Sequence, residues 1–209
     1  MLLLANMRGP RRLPPGEAAS LWACVGVALI SLLLVYGGCA PAAHSQSTAT
    51  TEYDLKLAFL FNFAKFVEWP PDAFPYEKAP ITLCVFGTDP FGRALDEIVQ
   101  GKTANNREFA IRRTMKPEDL RACQIIFISD AERGRLAEVF ESLKRSSVLV
   151  VGESDGFAQR GGCIQFYLED NKVRFSINVD AVQRARLTMS SKLLALARIV
   201  HDEGHPKGG

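Results

Sequence analysis

The sequence predicts a single α/β domain with a mostly parallel sheet and helices on both faces, plus a C-terminal antiparallel hairpin and a closing helix. Three observations carry this. The short runs Ile81–Gly87, Gln124–Ser129 and Val148–Val151 are nearly continuous in apolar residues, as strands covered on both faces are. Helical patterns separate them, and that alternation belongs to a parallel sheet whose right-handed crossovers place helices on both sides. The last third changes style. Ile164–Leu168 and Val173–Ile177 flank the turn Glu169-Asp170-Asn171-Lys172, which reads as an antiparallel hairpin.

Residues 1–42 read as an export leader. Arg8, Arg11 and Arg12 precede the apolar run Leu21–Tyr36, which is short for a spanning helix. Ala40-Pro41-Ala42 offers a cleavage signal before Ala43. Tyr36-Gly37-Gly38-Cys39 offers a different ending, a lipoprotein leader stopping before a lipidated Cys39, with Tyr36 where an aliphatic residue is usual; an uncleaved anchor is a third outcome. Met7 competes with Met1 as the start of translation. Residues 43–51 are expected to be a flexible polar linker, 52–201 the domain, and 202–209 a disordered tail. Removing 1–42 takes three Arg and one Glu from 25 basic and 23 acidic residues, leaving 22 of each. No Lys/Arg-rich face of the kind that binds nucleic acid remains.

The domain opens on Leu55–Pro70, LKLAFLFNFAKFVEWP. As a helix, it stacks Leu55, Phe59, Phe63 and Phe66 on one side, and Leu57, Leu60, Ala64 and Val67 widen that side. Asp54, Asn62 and Lys65, with nearby Ala58, leave only a narrow polar stripe. Such a helix must be covered on most sides, in the core, in a homodimer or against a partner, and a core helix is the favoured reading. A proline-rich loop, Pro70–Pro80, leads to the first strand. A helix to about Val99 follows, with Asp89 as N-cap and Pro90 at its first position. Glu108–Thr114 is the second strand, Lys116–Leu120 a helical turn, and Ala131–Arg145 an amphipathic helix. The closing helix spans roughly Asp180 to Val200.

Little here resembles catalysis. The histidines, His44, His201 and His205, all lie near the ends, which excludes histidine-dependent triads and most zinc sites. Gly101-Lys102-Thr103 lacks the upstream glycine of a phosphate loop, Asp96 standing in its place. Gly87–Gly92 follows a strand and could cradle an anion, although a tight turn is the simpler reading. Ser190-Ser191-Lys192 lacks serine–lysine spacing. No catalytic residue, metal site or cofactor is assigned. Cys84 lies in the first strand and Cys123 at the start of the third, and neighbouring parallel strands would set them side by side. Cys163 competes for either.

Four stretches together resemble the YfiR-like family of bacterial periplasmic regulators. They are Leu55–Pro70, with its Asn-Phe-Ala-Lys-Phe core and closing Glu-Trp-Pro; Ile81–Gly92 (ITLCVFGTDPFG); Cys123–Ser129 (CQIIFIS); and Val173–Asn178 (VRFSIN) followed by Leu187–Arg198 (LTMSSKLLALAR). The ordered set is more specific than any one of them. The resemblance implies a periplasmic protein, not an enzyme, that binds and represses the periplasmic sensing domain of an inner-membrane diguanylate cyclase, and so limits cyclic-di-GMP and biofilm. It implies a Cys84–Cys123 disulfide through which the response could be redox-linked, and leaves Cys163 a free buried thiol. A second family bridge is in doubt, because Ala158 and Gln165 occupy its places. The family's partner region falls on Ile164, Phe166, Arg174, Ser176, Asn178 and Val182, with Ser176 where an acidic residue is usual. Two other readings stand beside this one, a periplasmic small-ligand sensor and, third, an enzyme.

Overall fold

The computed structural model describes residues 45–203, and the leader with Cys39 and the tail beyond Glu203 lie outside the described residues. The opening helix, α1 (Ser45–Phe66), begins inside the stretch expected as linker. Leu57, Leu60, Phe63 and Ala64 are buried in the core, and Asp54, Asn62 and Lys65 face outward. Leu55 and Phe66, expected on the covered side, are exposed. The covered stripe is thus 57-60-64, centred away from 55 and 66. The helix stops at Phe66 rather than at the prolines. Asn105 explains the stop, because its Nδ2 donates to the carbonyls of Ala64 (3.2 Å) and Val67 (3.1 Å), groups at a helix end that lack intrahelical partners. The chain then extends as β1 (Val67–Glu68).

The main sheet contains β2 (Ile81–Phe86), β3 (Thr103–Ala104), β4 (Arg107–Thr114), β5 (Ile125–Ile128), β6 (Leu149–Gly152), β7 (Ile164–Glu169), β8 (Lys172–Asn178) and β10 (Arg198–Val200). Their order is β10-β8-β7-β6-β5-β2-β4-β3. From β4 through β7 every neighbouring pair is parallel. The β7–β8 hairpin is antiparallel, and β10 lies parallel to β8 on its outer side. Successive side chains on a strand point to opposite faces, which sorts the core into two layers. Ile81, Leu83, Val85, Ile125, Phe127, Leu149 and Val151 pack with α1 in the larger layer. Cys84, Phe86, Ile126, Ile128, Val148 and Val150 pack on the other face against α3 (Leu136–Ser142). The α/β architecture with its C-terminal hairpin is therefore as the apolar runs indicate.

Three expected helices are shortened or broken. Asp89 does not cap a helix at Pro90. Its Oδ1 accepts the amides of Phe91 (2.8 Å) and Gly92 (3.2 Å) in a local turn, and α2 starts only at Arg93, running to Val99. The stretch from Ala131 opens as a 3-10 turn, Asp130–Arg135, containing Gly134, and becomes α3 only at Leu136. The closing helix is instead α4 (Val179–Arg184), β9 (Thr188–Met189), α5 (Ser191–Leu194) and β10. Arg186 in the left-handed region (φ 56°) follows α4. β9 pairs with β1. Ser190 caps α5 through its hydroxyl and donates its own N–H to the Phe66 carbonyl at 2.9 Å.

Phe157 fixes the approach to the hairpin. Its ring lies so close to Gly152 and Gly162 that a Cβ at either would collide with it. Those two glycines serve close packing against an aromatic ring.

Candidate functional site

The expected partner residues do not form one surface. Ile164 and Phe166 are fully enclosed in the larger core layer, and Ser176, Asn178 and Val182 are buried as well. Topology supplies the reason for this burial. The hairpin is internal to the sheet, with β6 pairing β7 on one side and β10 pairing β8 on the other. Ser176 lies opposite Arg198 in that pairing, where an exposed hairpin would have presented it to solvent. Arg174 alone of the six is exposed.

Arg174 belongs to the hairpin tip, where Asp170 and Asn171 turn the chain in the left-handed region (φ 50° and 56°). That conformation at both central residues is the turn whose twist matches a two-residue hairpin. Leu168, beside the tip, is 54% exposed, and Leu55 of α1 is 43% exposed. Leu55, Leu168, Val173, Lys172 and Arg174 line one groove of about 790 Å³. Glu169 is held by Arg198 (2.8 Å) and lies 3.8 Å from Arg174, while the Arg198 guanidinium stacks over the Tyr167 ring at 4.5 Å. The groove therefore presents two leucines beside Lys172 and Arg174, with Glu52 on its α1 side. Sequence reasoning missed Leu55 and Leu168 because both continue an apolar pattern.

Behind the tip, Asn178 is a structural hub. Its Oδ1 accepts the amides of Asp180 (2.9 Å) and Ala181 (3.0 Å), capping α4. Its Nδ2 donates to the Ala158 carbonyl (2.6 Å) and to Asp202 (2.8 Å). Asp202 also pairs with Arg184, and the Glu203 amide donates to the Gln159 carbonyl at 3.0 Å. The first residues of the expected disordered tail are thus tied down. Burial pushes the Asp202 carboxyl up, but the hydrogen bonds from Arg184 and Asn178 outweigh it and hold the group below its ordinary value. The carboxylate is charged in both folded and unfolded chains at neutral pH, so its stabilisation is then complete. As pH falls through the unfolded value of about 4, only the unfolded chain gains a proton, and the contribution fades until the folded group also protonates. Asp202→Asn should remove about 1 kcal/mol at pH 7 and flatten this part of the acid dependence, as urea titrations at pH 7 and pH 3 would measure.

Cys84 and Cys123 form a disulfide with Cα atoms 6.0 Å apart, and both residues are buried in the smaller layer. Cys163 is free and buried. At the places of the second family bridge, the Ala158 amide donates to Gln165 Oε1 at 3.1 Å, within the interior. A hydrogen bond here joins the two positions that a covalent link would join.

The candidate anion cradle at Gly87–Gly92 is occupied by the protein itself. Asp89 takes the Phe91 and Gly92 amides, and Arg113 binds Asp89 (2.7 Å), Asp96 (2.8 Å) and the Gly92 carbonyl (2.8 Å). Ser190 serves as a cap, and His201 lies 3.1 Å from Asp180. A cluster with no sequence signal sits beyond β6. Lys56 lies 2.6 Å from Glu153 and 2.5 Å from Glu52, and Glu153 also accepts from the Tyr53 hydroxyl and the Asp130 amide, both at 3.1 Å. Burial and the Glu153 charge raise the Tyr53 phenol. Both Glu153 oxygens are engaged, so the cluster clamps α1 to the sheet. Among the described residues no group of His, Cys, Asp and Glu could hold a metal ion, and no helix is long and apolar enough to cross a membrane.

A conserved domain protein from Vibrio cholerae O1 biovar El Tor matches at 11% identity and a TM-score of 0.42, covering 57% of this chain and 54% of that one. The ABC domain in complex with L-Trp from Streptococcus pneumoniae matches at 9% identity and a TM-score of 0.47, covering 73% of this chain and 60% of that one. The chain thus spans less than two thirds of either solved chain. The YfiR/HmsC-like family matches residues 53–198, from the clamp on α1 through the start of β10. This chain belongs to the YfiR/HmsC-like family.

Proposed function

We propose that the protein is an exported, periplasmic regulator that binds the periplasmic sensing domain of an inner-membrane diguanylate cyclase and holds it inactive, without chemistry of its own. Family membership supports a periplasmic regulator of the YfiR/HmsC type. The observation that directs the reading to a surface is the groove at the hairpin tip, where Leu55, Leu168 and Arg174 converge. Exposed leucines beside Lys172 and Arg174, with Glu52 on the α1 side, suit a partner that offers an apolar anchor with an acidic neighbour for the two cations. Binding would occlude the partner's surface, and cyclic-di-GMP output would rise when this protein is removed.

The test is a calorimetric titration against the isolated periplasmic domain of the cognate cyclase. Leu168→Asp and Arg174→Glu should each weaken binding by at least about tenfold, since a buried anchor or a desolvated charge pair carries that much. Both residues are exposed, so the thermal midpoint should stay put. Unchanged affinity in both variants would count against this face. Unchanged cyclic-di-GMP on gene deletion would count against the regulatory role.

The burial of both disulfide sulfurs favours a structural bridge over a redox sensor, because a reductant needs access to sulfur.

A further inference from the structure

We propose that the cavity between α3, β6 and α4 binds a small organic anion with an apolar body. It lies apart from the tip groove and goes beyond the partner-binding reading. Its volume is about 330 Å³, in the range of small-ligand sites. Phe140, Val148, Val150, Cys163 and Ala181 give it apolar walls. The Cys163 thiol is pushed up to about 11 by burial, so that wall is neutral at physiological pH and does not repel an anion.

The charged groups around the cavity are of one dominant sign. Lys144, Arg145, Arg160 and Arg184 line it, with Glu141 the sole acid among its lining residues. Three of the four cations already have partners: Lys144 lies 2.6 Å from Glu141, Arg160 donates to the Asp155 carbonyl at 2.7 Å, and Arg184 pairs with Asp202. Arg145 makes no hydrogen bond or ion pair among the described residues. Its backbone sits in the left-handed region (φ 65°), which a residue with a bulky side chain seldom adopts, and the turn is held by the Ser146 amide donating to the Leu143 carbonyl at 2.9 Å. An exposed, uncommitted arginine lining an apolar cavity matches a carboxylate head on a hydrocarbon or aromatic body. Arg160 and Arg184 flank the segment joined to Asn178, so an occupant would stiffen the base of the hairpin.

Octanoate and phenylacetate, with 1-octanol as the uncharged match, are the probes, read by calorimetric titration and thermal midpoint of the purified protein. At least one carboxylate should bind and raise the midpoint, with octanoate binding at least about tenfold tighter than 1-octanol. Arg145→Ala should cut carboxylate affinity about tenfold, the share of one charge-assisted contact, and leave 1-octanol binding unchanged. Ala185→Phe, which fills the cavity, should abolish binding of all three. If that variant fails to fold, Arg145→Ala still decides. Equal affinity for octanoate and 1-octanol, no binding of either carboxylate, or unaltered carboxylate binding in Arg145→Ala would each overturn the proposal.

Discussion

Cys84→Ser should lower unfolding free energy by about 4 kcal/mol. The bond joins residues 39 apart in sequence, and closing a loop of that length in the unfolded chain is worth about 4 kcal/mol in the chain-entropy treatment. A domain of this size is typically stable by only about 5–15 kcal/mol, so the loss is a large fraction. The serine hydroxyl would also sit in the smaller apolar layer, adding an unpaired polar group. Cys123→Ser should match it, because the same loop is opened. Cys163→Ser should cost less, since it opens no loop. Urea midpoints of the three variants would separate these effects. Ellman titration of the described domain after denaturation should find one thiol, from Cys163. Three thiols would refute the bridge.

Phe63→Ala should cost about 3–5 kcal/mol, the usual range for emptying a large aromatic site in a packed core. Phe63 is fully buried, and its ring centroid lies 5.2 Å from Phe175, edge-on, and 5.8 Å from Phe166. The substitution removes one of the two rings, with Phe59, that join α1 to both strands of the hairpin. Chemical denaturation would measure the loss. A value below about 1 kcal/mol would mean that α1 is not the centre of the core. Leu168→Asp, by contrast, should leave stability nearly unchanged, and this difference separates the helix that builds the fold from the tip that meets a partner.

The inner strands β2, β5 and β6 were legible in the sequence because continuous apolar runs of four to six residues leave no other way to be buried. Helix ends were not. Asn105 stops α1 from a position 39 residues beyond its last residue, and no local pattern announces that. The segment 180–200 reads as one helix because Ser190 and Arg186 are only mildly unfavourable there. Pairing of Thr188–Met189 with β1 and of Arg198–Val200 with β8 overrides that weak preference. The burial of the expected partner residues was hidden from the sequence for a related reason. The family resemblance located the hairpin, but whether β8 is an edge depends on β10, which had been read as helix. The Lys56–Glu153 clamp joins residues 97 apart and left no trace in spacing.

The position of α1 also sets the order in which the domain can be assembled. Among the described elements α1 is made first, yet Phe166 and Phe175, the hairpin rings that pack on its Phe59 and Phe63, are made more than a hundred residues later. Until then Phe59 and Phe63 stand without those rings, and loop closure over that distance delays the reward for ordering them. The nascent helix is therefore a natural client for a holding chaperone. A chain truncated before β7 should partition into aggregates, and one ending just after β8 should be much less prone to do so.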